Sequence, residues 1–286
     1  MEVTRREFCK RMSQTVAAAG AMTLLPRHAL TAPEGRGRVV VARNDGLLAE
    51  GKVNKDLAAK IIADAVMKLT GCASAQTAWA AMFKPNDKVG IKVNCLGGKS
   101  LSPQPDVVLC LVDGLKSAGV PEANIIIWDR SGRELEIAGY RLRTDDKGLR
   151  CMGTDQLPGG GYEPQPETMG SVGGCLSKFV TTHCTAFLNV GILKDHYLAG
   201  VSVGMKNFYG AIHNPNKYHD RNCDPYVADI CAHPVIKDKL RLVVCDAIRA
   251  QYNGGPAYAP QWAWKHNGLL FSRDPVAIDR IGAQII

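Results

Sequence analysis

Apolar runs alternate with helical periodicity through the first half of the chain. Three apolar runs are typical of buried β-strands: 38–43, which is β-branched and uninterrupted, 88–94 and 124–128. Apolar residues recur every three or four positions from Leu57 to Leu69, which predicts a helix after the first strand. A second helix is predicted to begin at Pro105 and to end at Gly119. This strand–helix alternation implies a parallel sheet joined by right-handed crossovers.

The second half of the chain resumes the pattern after a less regular stretch. Glycines, prolines and scattered charges over residues 143–175 predict a long loop or small subdomain. Three further strands are predicted: 185–190, 240–245 and 268–272. Asp274 and Pro275 are predicted to begin a final helix, which has no closing glycine before Ile286, so we expect a truncated C-terminus. The predicted fold is α/β, a mainly parallel sheet with helices on both faces and an irregular mid-chain insertion.

The first residues have the features of an export signal. Arg5 and Arg6 lie just before Phe8, and a short apolar run over 16–25 is followed by Arg27. The run is too short to be a permanent transmembrane helix. A paired arginine followed by a weakly apolar run and a further basic residue resembles the twin-arginine export signal.

Export by this route leads to several expectations. We interpret residues 1–32 as the signal and residues 33–286 as a single α/β domain. The route carries folded proteins, which often acquire a cofactor before export. We expect a periplasmic or other extracytoplasmic location, contact with the twin-arginine translocase during export, and no stable membrane insertion.

Charge and cysteine spacing narrow the function further. The formal net charge of +8 is diffuse and forms no basic stripe, which argues against nucleic-acid binding and favours weak attraction of small anionic molecules. Ten cysteines are many for 286 residues, but no CxxC pair occurs. A self-contained iron–sulfur cluster of a standard type is therefore not expected.

Polar residues follow the predicted strands, where ligands of open parallel sheets bind. They are Asn94, Asp129, Arg130, Lys194, Asp195, His196 and Asp246. If the strands are parallel neighbours, these side chains converge on one rim, although Asp and Ser at such junctions also cap helices. We interpret Lys194, Asp195 and His196 as catalytic candidates, and Asn94, Asp129, Arg130 and Asp246 as substrate-binding candidates.

Lys206 and Asn207 interrupt the otherwise apolar stretch VGMKNFYG. A cation there needs a carboxylate partner or an anionic ligand, unless the side chain reaches solvent. We therefore add Lys206 to the catalytic candidates and Asn207 to the substrate-binding candidates.

A candidate metal site lies in the segment that follows. His213, His219 and Cys223 supply nitrogen and sulfur ligands suited to zinc, iron or nickel. His219 and Cys223 are four positions apart, so they would share a face if that turn is helical. The spacing matches no standard metal motif, and a hydrogen-bonded loop is the alternative interpretation.

Several segments together resemble a known family. They are IKVNCLGG (91–98), IIIWDRS (125–131), LKDH (193–196), the block 206–226, CDAIRAQYNGGP (245–256) and SRDPVAIDRIG (272–282). These segments resemble the domain of unknown function 362 family. The resemblance implies an association with iron–sulfur proteins, because some relatives carry ferredoxin-like cysteine clusters. This chain lacks that cluster, and the resemblance supplies no catalytic residues.

Two functional hypotheses follow. The first is an exported metal- or cofactor-dependent enzyme, for example a redox enzyme, with a transition metal (iron, zinc or nickel) or an iron–sulfur centre, and with an anionic substrate or a redox partner protein. The second is a non-catalytic periplasmic binding module or maturation partner that uses the same rim for capture.

Overall fold

Eight strands form the main sheet of the computed structural model, which describes residues 37–286. The predicted signal, residues 1–32, lies outside the described residues. The main-sheet strands are β1 (Val39–Arg43), β4 (Val89–Val93), β5 (Ile125–Asp129), β6 (Arg150–Gly153), β9 (Ala186–His196), β10 (Gly200–Ser202), β11 (Leu240–Gln251) and β12 (Ala263–Ser272). Two small pairs lie outside it: β2 (Leu48–Ala49) with β3 (Lys52–Val53), and β7 (Glu167–Met169) with β8 (Val172–Gly174).

The strand order is β1-β12-β11-β9-β4-β5-β6, with β10 beside β9. Strands β11, β9, β4, β5 and β6 are parallel, whereas β12 is antiparallel to both of its neighbours. The prediction of a mainly parallel sheet is therefore confirmed. The first strand lies at the edge beside β12, far from β4, because strand pairing depends on long-range contacts that no local pattern encodes.

Seven helices occur among the described residues: α1 (Lys55–Thr70), α2 (Ala75–Met82), α3 (Pro105–Ser117), α4 (Gly132–Ile137), α5 (Tyr226–Ala232), α6 (Pro234–Lys237) and α7 (Pro275–Ile285). The Asn54 side chain accepts from the Leu57 N–H to cap α1, and Gly71 ends it with a positive φ of 76°. The Asp274 side chain caps α7. Helix α2 was not predicted, although Ser74 and Thr77 form a capping box at its start.

Both faces of the sheet are covered. Ile125 and Ile127 of β5 point into the core formed with α1, α2 and α3. Ile126 and Trp128 point to the opposite side, where α5, α6 and the irregular segments pack, and α7 packs beside them against β11. This alternation along one strand is what a sheet buried on both faces requires. No described helix has the length and apolar character needed to cross a membrane.

The mid-chain insertion over residues 143–175 contains more structure than a loop. It supplies the edge strand β6 and the small β7–β8 pair, whose residues Met169 and Val172 join the core on the second face. The insertion thus covers part of the sheet.

Strand β9 is longer than predicted and extends beyond its neighbour. Its pairing with β4 ends at Val93–Val190, but the strand continues to His196 and there pairs with β10. At Gly191 a Cβ atom would lie 1.5 Å from the Val203 carbonyl oxygen, so only glycine permits this close approach. The projecting end of β9 forms a wall above the carboxyl ends of β4 and β5.

Candidate functional site

A cleft of about 370 Å³ lies at the carboxyl ends of β4 and β5, against the projecting end of β9. The residues that line it include Asn94, Arg130, Lys194, His196, Lys206 and His219. These six predicted site residues, together with Asp129 and Asn207, therefore meet in one concave site, where open parallel sheets bind ligands.

The floor of the cleft is held by a buried ion pair. Lys92 Nζ donates to Asp129 Oδ1 at 2.7 Å, to Asn207 Oδ1 at 2.8 Å and to the Val93 carbonyl at 2.6 Å. The Lys92 and Asp129 side chains are 1% and 7% exposed. All three ammonium hydrogens of Lys92 have acceptors, and its charge is neutralised.

Asp129 and Asn207 are fully used in this floor. Besides Lys92, the Asp129 carboxylate accepts from the backbone N–H groups of Cys95 and Arg130, each at 2.7 Å. Asn207 Nδ2 donates to Asn189 Oδ1 at 2.6 Å, which ties the segment after β10 to β9. These two residues, which were predicted to bind substrate, line the cleft, but their polar atoms are already hydrogen-bonded to other groups of the protein.

Lys194 has a different environment. It is 1% exposed, and the one hydrogen bond of its Nζ is to the Pro256 carbonyl oxygen at 2.8 Å. No described carboxylate lies within ion-pair distance of this ammonium group. Burial lowers the pKa of Lys194 from 10.5 to about 8. Two N–H positions of a protonated Lys194 are therefore free for a ligand.

Lys206 is the second cation without a described carboxylate partner. Its Nζ lies 3.0 Å from His219 Nε2 and 3.4 Å from the centre of the Tyr209 ring. His219 Nδ1 lies 3.1 Å from the Pro215 carbonyl oxygen, an acceptor, so Nδ1 carries the proton and Nε2 accepts from the lysine. Burial lowers the pKa of Lys206 to about 8.

His196 is held as a neutral hydrogen-bond donor. Its Nδ1 accepts from the backbone N–H groups of Leu198 and Ala199 at 3.3 and 3.2 Å, which places the proton on Nε2. The ring stacks on that of His219 with centroids 5.6 Å apart. Burial, followed by the charge of Lys206, lowers the pKa of His196 to about 4.

Asn94, Arg130 and Glu134 also line the cleft. Asn94 Oδ1 is buried and has no hydrogen-bond partner among the described residues. Arg130 Nη2 lies 3.8 Å from Glu134 Oε1. Burial, followed by the charge of Asp129, raises the pKa of Glu134.

Two predicted rim residues do not line the cleft. The Asp195 carboxylate accepts from the Gly255 N–H at 2.8 and 3.0 Å and holds the loop that carries Pro256. Asp246 is fully buried within β11 and accepts from the backbone N–H of Gln104, at the start of α3, and from that of Ile248. Burial raises the pKa of Asp246 to about 6. Both carboxylates therefore hold backbone segments in place through hydrogen bonds.

The predicted metal ligands are not brought together. His213 is exposed and packs edge-on against Tyr162, whereas His219 faces Lys206 inside the cleft. Cys223 is buried on the other side of Lys206, in a second cavity of about 230 Å³. Asn222 and Cys223 have positive φ values of 57° and 64°, so the turn is not the helix that a shared His219–Cys223 face required. Within residues 37–286, no three His, Cys, Asp or Glu side chains form a metal-binding group.

The described cysteines also form no cluster. All nine are free thiols, and they are distributed over both faces of the sheet. The described cysteines therefore do not fit an iron–sulfur centre.

Sequence reasoning missed Lys92, Tyr209 and Ser202, which all line the cleft. Lys92 had the same sequence signal as Lys206, because it is a lysine within an otherwise apolar stretch, the predicted strand KVGIKVN. A buried lysine in such a strand needs a partner, and this requirement applied equally to Lys92.

Fold and cleft together define an α/β protein with an open, mainly parallel sheet and a polar cleft at its strand ends. The chain belongs to the family described as domain of unknown function 362 (DUF362), whose model matches residues 89–284. The family expected from the sequence segments is thereby confirmed.

A solved structure supports the fold alone. The chain is similar to a crystal structure of a Thermotoga maritima protein, with a TM-score of 0.51 and 8% sequence identity over 85% of this chain. The match spans 60% of the Thermotoga chain. No curated protein matches the sequence.

Proposed function

We propose that the cleft binds a small anionic molecule through Lys194 and Lys206. The observation that carries this proposal is that two buried ammonium groups in one cleft have no described carboxylate partner. A buried charge without compensation is costly, and an anionic ligand would supply that compensation. Lys92, in the same cleft, has its own carboxylate and is not available for this role.

Other features of the cleft agree with an anion of modest size. A volume of about 370 Å³ lies at the lower end of the range for small-molecule sites. Arg130 adds a cation that Glu134 only partly offsets at 3.8 Å, and His196 presents an N–H donor. Asn94 has a buried, unpaired oxygen that can accept from a hydroxyl or amine of the ligand. The anionic group is therefore the required feature of the proposed ligand, and Asn94 can bind a donor group where the ligand carries one.

Anion binding serves either of the two functions expected from the sequence. An enzyme and a non-catalytic receptor would both need the two lysines. The donors of this site are ammonium, guanidinium and imidazole N–H groups, so the proposal does not depend on a metal.

Calorimetric titration of the full chain tests the proposal, with inorganic phosphate, lactate and pyruvate as separate probes. We expect saturable binding of at least one anion, weakened about tenfold or more in Lys194→Met and in Lys206→Met. Lys60→Met removes an exposed lysine of α1 and is the matched charge control, with unchanged affinity expected. No saturable binding, or equal affinity in all variants, would overturn the proposal.

An extracytoplasmic location is part of the same proposal and is supported by Arg5 and Arg6. Replacing both by lysine should keep the chain in the cytoplasm, whereas Lys10→Arg should leave export unchanged. Cell fractionation measures the difference. Equal export of the two variants would contradict a twin-arginine signal.

A further inference from the structure

We propose that Lys206 forms an imine with the carbonyl carbon of a small 2-oxo acid whose carboxylate is held by Lys194. This inference rests on the proposed anion binding and names the ligand class and the reacting atom. Imine formation requires a lysine that can lose its proton, a nearby acceptor for that proton, and a donor for the carbonyl oxygen. The cleft contains a residue for each requirement.

The environment of Lys206 favours the neutral amine. Its Nζ is enclosed by the Tyr209 ring and the His219 imidazole, with no carboxylate to stabilise the ammonium form among the described residues. Burial is the largest cause and lowers the pKa of Lys206 to about 8; Cys223 acts in the opposite direction, and the charge of Lys194 adds a smaller lowering. A neutral amine is the nucleophilic form of lysine.

His219 is oriented to receive the proton. The Pro215 carbonyl holds the proton of His219 on Nδ1, so the Nε2 lone pair faces Lys206 Nζ at 3.0 Å. This distance is within the range for direct proton transfer. Tyr209 packs edge-on against the His219 ring. The Tyr209 hydroxyl donates to the Tyr218 carbonyl, which holds the ring of Tyr209 in place.

His196 is oriented to donate to the carbonyl oxygen. The two backbone N–H groups on its Nδ1 leave the Nε2–H on the opposite edge of a ring that stacks on His219. A neutral imidazole N–H can polarise a carbonyl without carrying a full charge. Lys194 then pairs with the carboxylate, which in a 2-oxo acid is bonded to the reacting carbon. A ligand with adjacent carboxylate and carbonyl groups therefore matches the two lysines and His196.

The reaction is a condensation with no net oxidation or reduction. The Lys206 nitrogen lone pair forms a bond to the carbonyl carbon, and the carbonyl π electrons move to oxygen, whose negative charge accepts the hydrogen bond of His196 Nε2–H. His219 Nε2 takes one proton from the nitrogen and passes it to this oxygen, which gives a neutral carbinolamine. His219 then takes the second proton of the nitrogen and passes it to the hydroxyl group, which leaves as water while the nitrogen lone pair forms the C=N bond. The products are a neutral imine and one water, both hydrogens of which come from the Lys206 amine.

Reductive trapping tests the proposal. The full chain is incubated with pyruvate and sodium cyanoborohydride, which reduces the imine to a stable secondary amine, and the adduct is located by peptide mass mapping. We expect one adduct per chain at Lys206, blocked by excess lactate, absent in Lys206→Met and unchanged in Lys60→Met. We expect Lys194→Met to trap about tenfold less at subsaturating pyruvate, since it loses the carboxylate contact. Mapping in the unmodified chain keeps the test valid if a variant fails to fold.

The outcome for His219 separates proton transfer from packing. His219→Gln is expected to slow trapping about tenfold or more at neutral pH, with partial recovery as the pH rises above the pKa of Lys206. A pH-independent loss would contradict proton transfer by His219.

Failure of the imine and failure of anion binding are distinguishable. Saturable binding of pyruvate with no adduct at Lys206, or with equal labelling of the urea-unfolded chain, overturns the imine and leaves anion binding intact. An absence of saturable binding by every anion overturns both.

Discussion

Two sides of the same cleft bury lysine in opposite ways. At the floor, Lys92 is surrounded by three oxygen acceptors, one of which belongs to Asp129. The wall consists of the projecting end of β9 and the segment that carries Lys206. There, Lys194 donates to a single carbonyl oxygen, and Lys206 contacts a neutral imidazole and an aromatic ring. The floor is complete without a ligand, whereas the wall is not. Burial of a cation therefore does not identify a binding residue; the absence of a compensating anion does.

The largest expected effect comes from removing one partner of the Lys92–Asp129 ion pair in the floor. Asp129→Asn leaves the Lys92 ammonium buried without its counter-charge, so we expect the free energy of unfolding to fall by about 3–5 kcal/mol. Urea denaturation followed by circular dichroism measures it. The double variant Lys92→Met, Asp129→Asn should recover part of the loss, because no unpaired charge remains. A single variant as stable as the unmodified chain would show that the pair is not the structural element we describe.

At the wall, substitution should affect binding more than stability. Lys194→Met removes a desolvated cation and leaves only the Pro256 carbonyl without its donor, so we expect the free energy of unfolding to fall by no more than about 1 kcal/mol. The same variant should lose anion affinity about tenfold or more. Denaturation and calorimetry on one preparation give both values. A stability loss equal to that of Asp129→Asn would remove the distinction between floor and wall.

The wall should also differ from the floor in its pH dependence. The folded-state pKa of Lys194 is about 8, below the ordinary 10.5, so the unfolded chain binds more protons at this group in that interval. Stability contributed by Lys194 should therefore rise as pH increases from about 8 to about 10. The unmodified chain should gain stability relative to Lys194→Met across this window, since the other titrating groups are common to both. Parallel pH profiles would contradict the lowered pKa.

Local sequence patterns predicted part of the site, but the roles of residues 194–196 depended on where strand β9 ends. The predicted strand ended at residue 190, which placed all three residues together at the rim. Because β9 continues to His196, the period-two alternation places Lys194 and His196 in the cleft and turns Asp195 towards the loop at Gly255. A longer predicted strand would have separated them.

No local sequence pattern could have corrected the metal prediction in this way. His213, His219 and Cys223 lie on an irregular segment whose path includes left-handed residues at Asn214 and Asn222. The direction of each side chain there depends on hydrogen bonds to distant segments, for example from the His213 N–H to the Cys175 carbonyl. Spacing along such a segment does not indicate proximity.

The sequence by itself determined the α/β class, most strands and helix ends, the family, and eight residues of the cleft. These features depend on periodicity, capping and strand-end position, which are local properties of the chain. Tertiary structure alone decided which buried lysine received a carboxylate, because Asp129 reaches Lys92 across adjacent strands and no described carboxylate reaches Lys194 or Lys206. Charge compensation is a matter of distance in space, and it separates the structural floor of the cleft from its proposed binding wall.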